Sequence, residues 1–126
     1  MRLRTPLAQA RGLGAARDGI HHWWTQRLTA LALIPLSLWL VASIITISGA
    51  DYPTAVEWVQ SPVVAVLLLL FIAVAFYHAQ LGMQVVLEDY VHVEWAKVAT
   101  IIFLKFLMIA LAFIAGFAVL RVALGG

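Results

Sequence analysis

Three apolar runs divide the chain. They extend from about Leu28 to Ile47, from Val63 to Leu87, and from Val98 to Leu120. Each is close to the roughly 20 residues a helix needs to cross the hydrocarbon core of a bilayer. No Asp, Glu, Lys or Arg interrupts the first two runs, whereas the third contains Lys105. This pattern predicts an all-α membrane protein: one domain over residues 1–126 with three transmembrane helices. The first run is too long for the core of a signal peptide and has no convincing cleavage site after it, so it reads as retained. Ser61 followed by Pro62 predicts the cap and first turn of the second helix. Pro35 is a candidate kink in the first, which membrane helices tolerate.

Composition agrees with the pattern. The chain is 64% hydrophobic and 11% charged, with mean hydropathy +1.01. A soluble domain of 126 residues could not bury that much apolar surface, because small domains leave much of their surface in water. Membrane lipid is therefore the expected solvent for the outer face. The net charge of +2 is no nucleic-acid signal, since the few basic residues sit mostly at the ends of spans. There is no cysteine, which excludes disulfides, thiolate catalysis and Cys-ligated metal or iron–sulfur sites within this chain.

Charge distribution sets an orientation. Arg2, Arg4, Arg11, Arg17 and Arg27 lie on the N-terminal side, and the first loop, Ser48 to Pro62, has Asp51 and Glu57 but no Lys or Arg. The second loop, Glu88 to Lys97, has one Lys, and Arg121 lies near the C-terminus. The positive-inside rule then places the N-terminus and second loop in the cytoplasm, or in the matrix of a mitochondrion. Trp23, Trp24 and Trp95 fall on that interface, and Tyr52 and Trp58 on the opposite one, as aromatic belts do. The basic stretch before Gly19 reads as a short cytoplasmic tail of a bacterial protein, with an organellar transit peptide as the alternative.

Ionisable groups inside a span are costly and mark function by default. His78 lies about ten residues from the cytoplasmic end of the second span, roughly 15 Å along the axis and so near the midplane. Two readings stand side by side: a hydrogen bond to a neighbouring helix, or a metal or haem ligand. Gly82, one turn later on the same face, leaves room for a bulky neighbour or a close helix. His21, His22 and His92 lie at or beyond the interface, so a six-coordinate haem on His78 requires its second axial ligand from another chain. Asp89 is 11 residues on, about three turns plus 20°, and shares the face of His78 if the helix persists. Asp89 and Tyr90 read either as an ordinary wet helix end or as a proton-coupled site at the membrane surface. Arg27, near His21, His22 and Gln26, reads as a snorkelling arginine or as a clamp for a carboxylate such as a haem propionate. Lys105, about two turns inside the third span, reads as snorkelling.

The run His78-Ala79-Gln80-Leu81-Gly82-Met83-Gln84-Val85-Val86-Leu87-Glu88-Asp89-Tyr90-Val91 resembles the second helix of the small hydrophobic anchor subunit (the D chain) of succinate dehydrogenase. Gly19-Ile20-His21-His22-Trp23-Trp24-Thr25-Gln26-Arg27-Leu28-Thr29-Ala30 is similar to the start of that subunit's first helix. The length and three-span layout match too, so the resemblance covers nearly the whole chain. It implies a helical bundle completed by a second anchor, the cytochrome b chain. It implies that His78 is one axial ligand of a haem b shared with that chain. Tyr90 would hydrogen-bond a ubiquinone carbonyl, with Asp89 as its acidic neighbour, and His21 and Arg27 would lie near the haem propionates. His22, Trp23 and Trp24 depart from the enterobacterial pattern, so they and Glu88 receive no role.

The resemblance further implies an iron–sulfur subunit and a flavoprotein subunit on the cytoplasmic face. This chain would then be a non-catalytic anchor in respiratory electron transfer and the tricarboxylic acid cycle, in a bacterial cytoplasmic (inner) membrane, with a mitochondrial inner membrane as the alternative. The chain carries no flavin fingerprint such as GxGxxG and no cluster cysteines of its own. Two alternatives remain: an anchor of a fumarate reductase, or a structural membrane protein or small transporter in which His78 only bonds across helices. A transporter would show paired intramembrane charges or broken helices, and the first two spans have no such charges.

Overall fold

A computed structural model of the protein describes the backbone from residue 15 to residue 126 and the side chains from Ile20 onward. Arg2, Arg4, Arg11 and the Arg17 side chain, on which the expected orientation and N-terminal tail rest, lie outside the described residues. Among the described residues four helices follow in order: α1 (Ala15–Ile47), α2 (Tyr52–Gln60), α3 (Pro62–Tyr90) and α4 (Glu94–Ala123). Three of them are long and apolar enough to cross a membrane: Ile20–Ile47, Pro62–Tyr90 and Glu94–Ala123. The fold is therefore all-α, as the apolar pattern predicts.

The spans run further than their apolar cores. Each helix continues past its apolar run into residues of mixed polarity, keeping its backbone groups paired within the helix. Thus α3 carries Asp89 and Tyr90 within its last turn, and the second loop contracts from the expected Glu88–Lys97 to Val91, His92 and Val93. Lys105 consequently sits about three turns from the start of α4 rather than two. Pro35 lies inside α1, which remains one helix through it.

The first loop contains an unexpected element. Helix α1 ends where Ser48 N–H donates to Ile44 O and Gly49 takes φ +85°, a left-handed conformation that favours glycine. Asp51 then caps α2: its Oδ1 accepts from Thr54 N–H at 3.1 Å. That bond, with Thr54 as the dominant cause through its side chain first and its backbone second, holds the Asp51 carboxyl below its ordinary value. Ser61 closes α2 and opens α3 at once, with Pro62 in the first turn, but its hydroxyl makes no capping bond. The chain turns at the expected residue through backbone geometry and proline alone. At the far end of α4, Gly126 N–H donates to Arg121 O and Gly125 N–H to Val122 O, the paired bonds of a Schellman motif with Gly125 at φ +83°.

Helix α3 is the middle of the bundle, with α1 and α4 both packed on it and α2 folded across the ends of α3 and α4. On α4, Gly116 allows close approach: a Cβ there would meet Leu69 Cδ2 at 3.7 Å. Trp58 of α2 stacks on Trp39 of α1, with centroids 6.1 Å apart and planes at 22°. Among the described residues the buried set is small, namely Leu36, Gln80, Leu81 and Leu104, and none of their side chains is fully buried. A soluble helical protein buries whole apolar faces, whereas lipid removes that drive and leaves close packing and polar contacts to hold the helices.

Candidate functional site

His78 is half-buried on α3 and meets α1. Its Nδ1 lies 2.8 Å from Thr29 Oγ1. Thr29 is fixed in turn by its own helix, with Oγ1 2.8 Å from Thr25 O and 3.0 Å from Gln26 O. One turn beyond His78, Gly82 faces Gln26, whose Nε2 would lie 3.8 Å from an added Cβ. The room left by Gly82 is thus taken by a close helix side chain. Gln26 Oε1 is buried and has no hydrogen-bond partner among the described residues. A buried acceptor in that state is rare, because it carries the full cost of desolvation. His78, Gly82, Gln26 and Thr29 therefore form one polar seam between α1 and α3.

The helix is continuous from His78 to Tyr90, so the condition for a shared face is met. Asp89 lies about 16 Å further along α3 and within roughly 20° of the azimuth of His78. Both Asp89 and Tyr90 are exposed, Tyr90 at 77%. Beside them at the same end of the bundle stand Trp23, Trp24 and Trp95, also exposed.

Arg27 and His21 do not converge. Arg27 is exposed, its guanidinium carbon 5.0 Å from the centroid of the Trp23 ring, and Trp23 packs edge-on against Trp24 at 5.0 Å. His21 lies six residues earlier, roughly 120° away around α1. It lines a cleft of 540 Å³ with His22 and Thr25 of α1, Tyr77, Gln80 and Gln84 of α3, and Lys105 of α4. On α3 this cleft is on the side away from His78, since Gln80 is roughly 200° from it.

Two features escaped the sequence reading. Gln80, 8% exposed, starts a ladder in which its Nε2 donates to Gln84 Oε1 at 2.7 Å and Gln84 Nε2 donates to Glu88 Oε1 at 3.0 Å. The signal was there: amides and an acid at four-residue spacing put all three on one helix face. Thr29 has no such signal, since only the packing of α1 on α3 pairs it with His78.

As donors, the described residues offer no cluster of three or more His, Asp and Glu around a metal ion. A single imidazole in a span is a donor set for one axial position only. His21 and His22 lie in α1 at least seven residues before Thr29, which is about 10 Å along the axis. His92 lies in the turn after α3. No other histidine of this chain stands at the depth of His78.

Comparison with known proteins bears on what this end of the molecule serves. A family described as succinate dehydrogenase/fumarate reductase transmembrane subunit matches residues 1–119. The succinate dehydrogenase hydrophobic membrane anchor subunit of Rickettsia bellii is 35% identical over 81% of this chain and 82% of its own length. The subunit of the same name from Rickettsia conorii is 36% identical over 70% of this chain and 71% of its own. That of Paracoccus denitrificans is 30% identical over 99% of this chain and 96% of its own. No solved structure matches. With three spans, a histidine inside the second and a family match over nearly all its length, this chain belongs to the succinate dehydrogenase/fumarate reductase transmembrane subunits.

Proposed function

We propose that this chain is one of the two membrane anchors of a succinate:ubiquinone oxidoreductase in a bacterial inner membrane, with its N-terminus in the cytoplasm. The partner anchor is a cytochrome b chain, and the iron–sulfur and flavoprotein subunits dock on the cytoplasmic side. The observation that carries this reading is His78: an imidazole well inside a span, held through Nδ1, with its other nitrogen available. The residues fit a haem b, which supplies one-electron transfer when bound. A role limited to bonding α1 to α3 uses only one ring nitrogen.

In this reading His78 and a residue of the cytochrome b anchor would together hold the haem, and Arg27 and His21 would serve its propionates. Tyr90 donates its hydroxyl proton as a hydrogen bond to a ubiquinone carbonyl, and Asp89 carries protons to a substrate that takes up two electrons and two protons. Their exposure suits them to a substrate arriving at the surface of the bilayer. The chain binds, orients and supplies charge, while redox chemistry belongs to bound groups and partner subunits.

A reduced-minus-oxidised optical spectrum of the purified complex tests the central assignment. The wild-type complex is expected to show a b-type signal, and His78→Ala is expected to lose it. A signal that survives this substitution overturns the ligand role.

A further inference from the structure

The contact between Thr29 and His78 is, among the described residues, the one side-chain to side-chain hydrogen bond that joins two spans. Its protons can be assigned by counting. Thr29 Oγ1 lies 2.8 Å from Thr25 O, 3.0 Å from Gln26 O and 2.8 Å from His78 Nδ1. Carbonyl oxygens only accept, and a hydroxyl has a single proton. If that proton pointed at Nδ1, Oγ1 would face two carbonyl oxygens at hydrogen-bond distance with nothing between them but lone pairs. If the proton serves the two carbonyls, Oγ1 presents a lone pair to Nδ1, which must then carry the hydrogen. A neutral imidazole protonated on Nδ1 has a bare Nε2. That is the nitrogen a metal requires.

We propose that Thr29 is a positioning residue for the haem iron: its hydroxyl accepts from His78 Nδ1–H and so fixes the tautomer and ring orientation that leave Nε2 free to ligate. This rests on the haem-ligand reading of His78. Metal-ligating histidines commonly donate their second nitrogen in this way, which orients the ring and raises its basicity as a ligand. Here the acceptor comes from a neighbouring span, so the packing of α1 on α3 itself prepares the ligand. The two sequence readings of His78, helix bond and metal ligand, become two halves of one arrangement.

The test compares Thr29→Val, which keeps the shape and removes the hydroxyl, with Thr29→Ser, which keeps the hydroxyl, in the assembled complex. Haem content, midpoint potential and the electron paramagnetic resonance of the oxidised haem are measured. Thr29→Val is expected to weaken haem retention about tenfold, the lower end for loss of such a support. Loss of Nε2 basicity disfavours the ferric state, so the retained haem shifts to higher potential, by about 59 mV if that preference also changes tenfold. Its resonance changes with ring orientation. Thr29→Ser is expected to match wild type in all three.

Wild-type potential and resonance in Thr29→Val overturn the proposal. So does a defect that Thr29→Ser fails to restore, including a failure to assemble. His78→Ala separates the two levels: if it retains the haem signal, the ligand reading itself falls, whereas its loss alongside an unaltered Thr29→Val removes only the role of Thr29.

Discussion

The two ends of the bundle differ in how the chain uses its polar and aromatic residues. At one end α2 folds back over α3 and α4, Trp58 stacks on Trp39, Asp51 caps α2, and Gln60 Nε2 reaches Val122 O at 3.4 Å. At the other end Asp89, Tyr90, His92, Glu94 and Trp95 stand exposed around a three-residue turn, with Trp23, Trp24 and Arg27 beside them. The first end ties several of its groups to one another within the chain, though Tyr52 stays exposed there. The second presents hydrogen-bonding groups and amphipathic rings that the chain does not use. The difference accords with the proposal that partners and substrate meet the Tyr90 end, while α2 packs across the ends of α3 and α4.

The strongest way to break this comparison is to exchange roles between the ends. Tyr90→Phe removes one hydroxyl from an exposed ring and should leave assembly and the haem spectrum intact. If Tyr90 donates to a carbonyl oxygen that gains negative charge on reduction, ubiquinone reduction by the complex should fall about 100-fold, the scale of losing one such donor. Trp58→Ala should do the reverse. It removes the stack on Trp39 and should lower stability by about 2 kcal/mol, read as thermal unfolding in detergent, with turnover per folded complex unchanged. A catalytic loss in Trp58→Ala equal to that in Tyr90→Phe would mean that the closed end is no mere closure.

The same contrast explains what was legible in the sequence. Span number and place follow from apolar length, because the bilayer imposes a single thickness on every crossing. The depth of His78 and its shared face with Asp89 follow from helical arithmetic, which needs no tertiary knowledge. Helix α2 was not legible, since Tyr52 to Gln60 is short and mixed in polarity, and its stability comes from Asp51 and from packing on α3 and α4. Thr29 was hidden for a related reason: nothing in residues 25–30 indicates which turn of α3 will lie opposite. That His21 lines a cleft while Arg27 lies over Trp23 likewise depends on which way α1 faces.

A smaller effect sharpens the account of the closed end. Gly49 has φ +85° and nothing within 4 Å of a Cβ placed on it, so space does not limit substitution there. Gly49→Ala should still cost about 1 kcal/mol, the left-handed penalty for an L-residue. The loss should appear as lower stability with normal turnover. An unchanged unfolding midpoint would show that the α1–α2 turn relaxes to another conformation without cost.

The smallest effect is the pH response of α2. Asp51 is fully exposed, and hydrogen bonding from Thr54 holds its carboxyl below the ordinary 3.8. A carboxyl depressed on folding contributes stability that is fully present above its unfolded value and is lost as pH falls through its folded value. The cap is therefore constant from neutral pH down to about 4 and weakens below that. The Thr54 amide resonance, followed by titration in micelles, should move with a midpoint below 3.8. Asp51→Asn preserves a good cap but cannot titrate, so its Thr54 amide should stay fixed over the same range. An equal acid response in Asp51→Asn would assign the transition to another group. A flat response in both would mean that α2 is held by its packing on α3 and α4 alone, making the closed end still less dependent on polar contacts than its cap suggests.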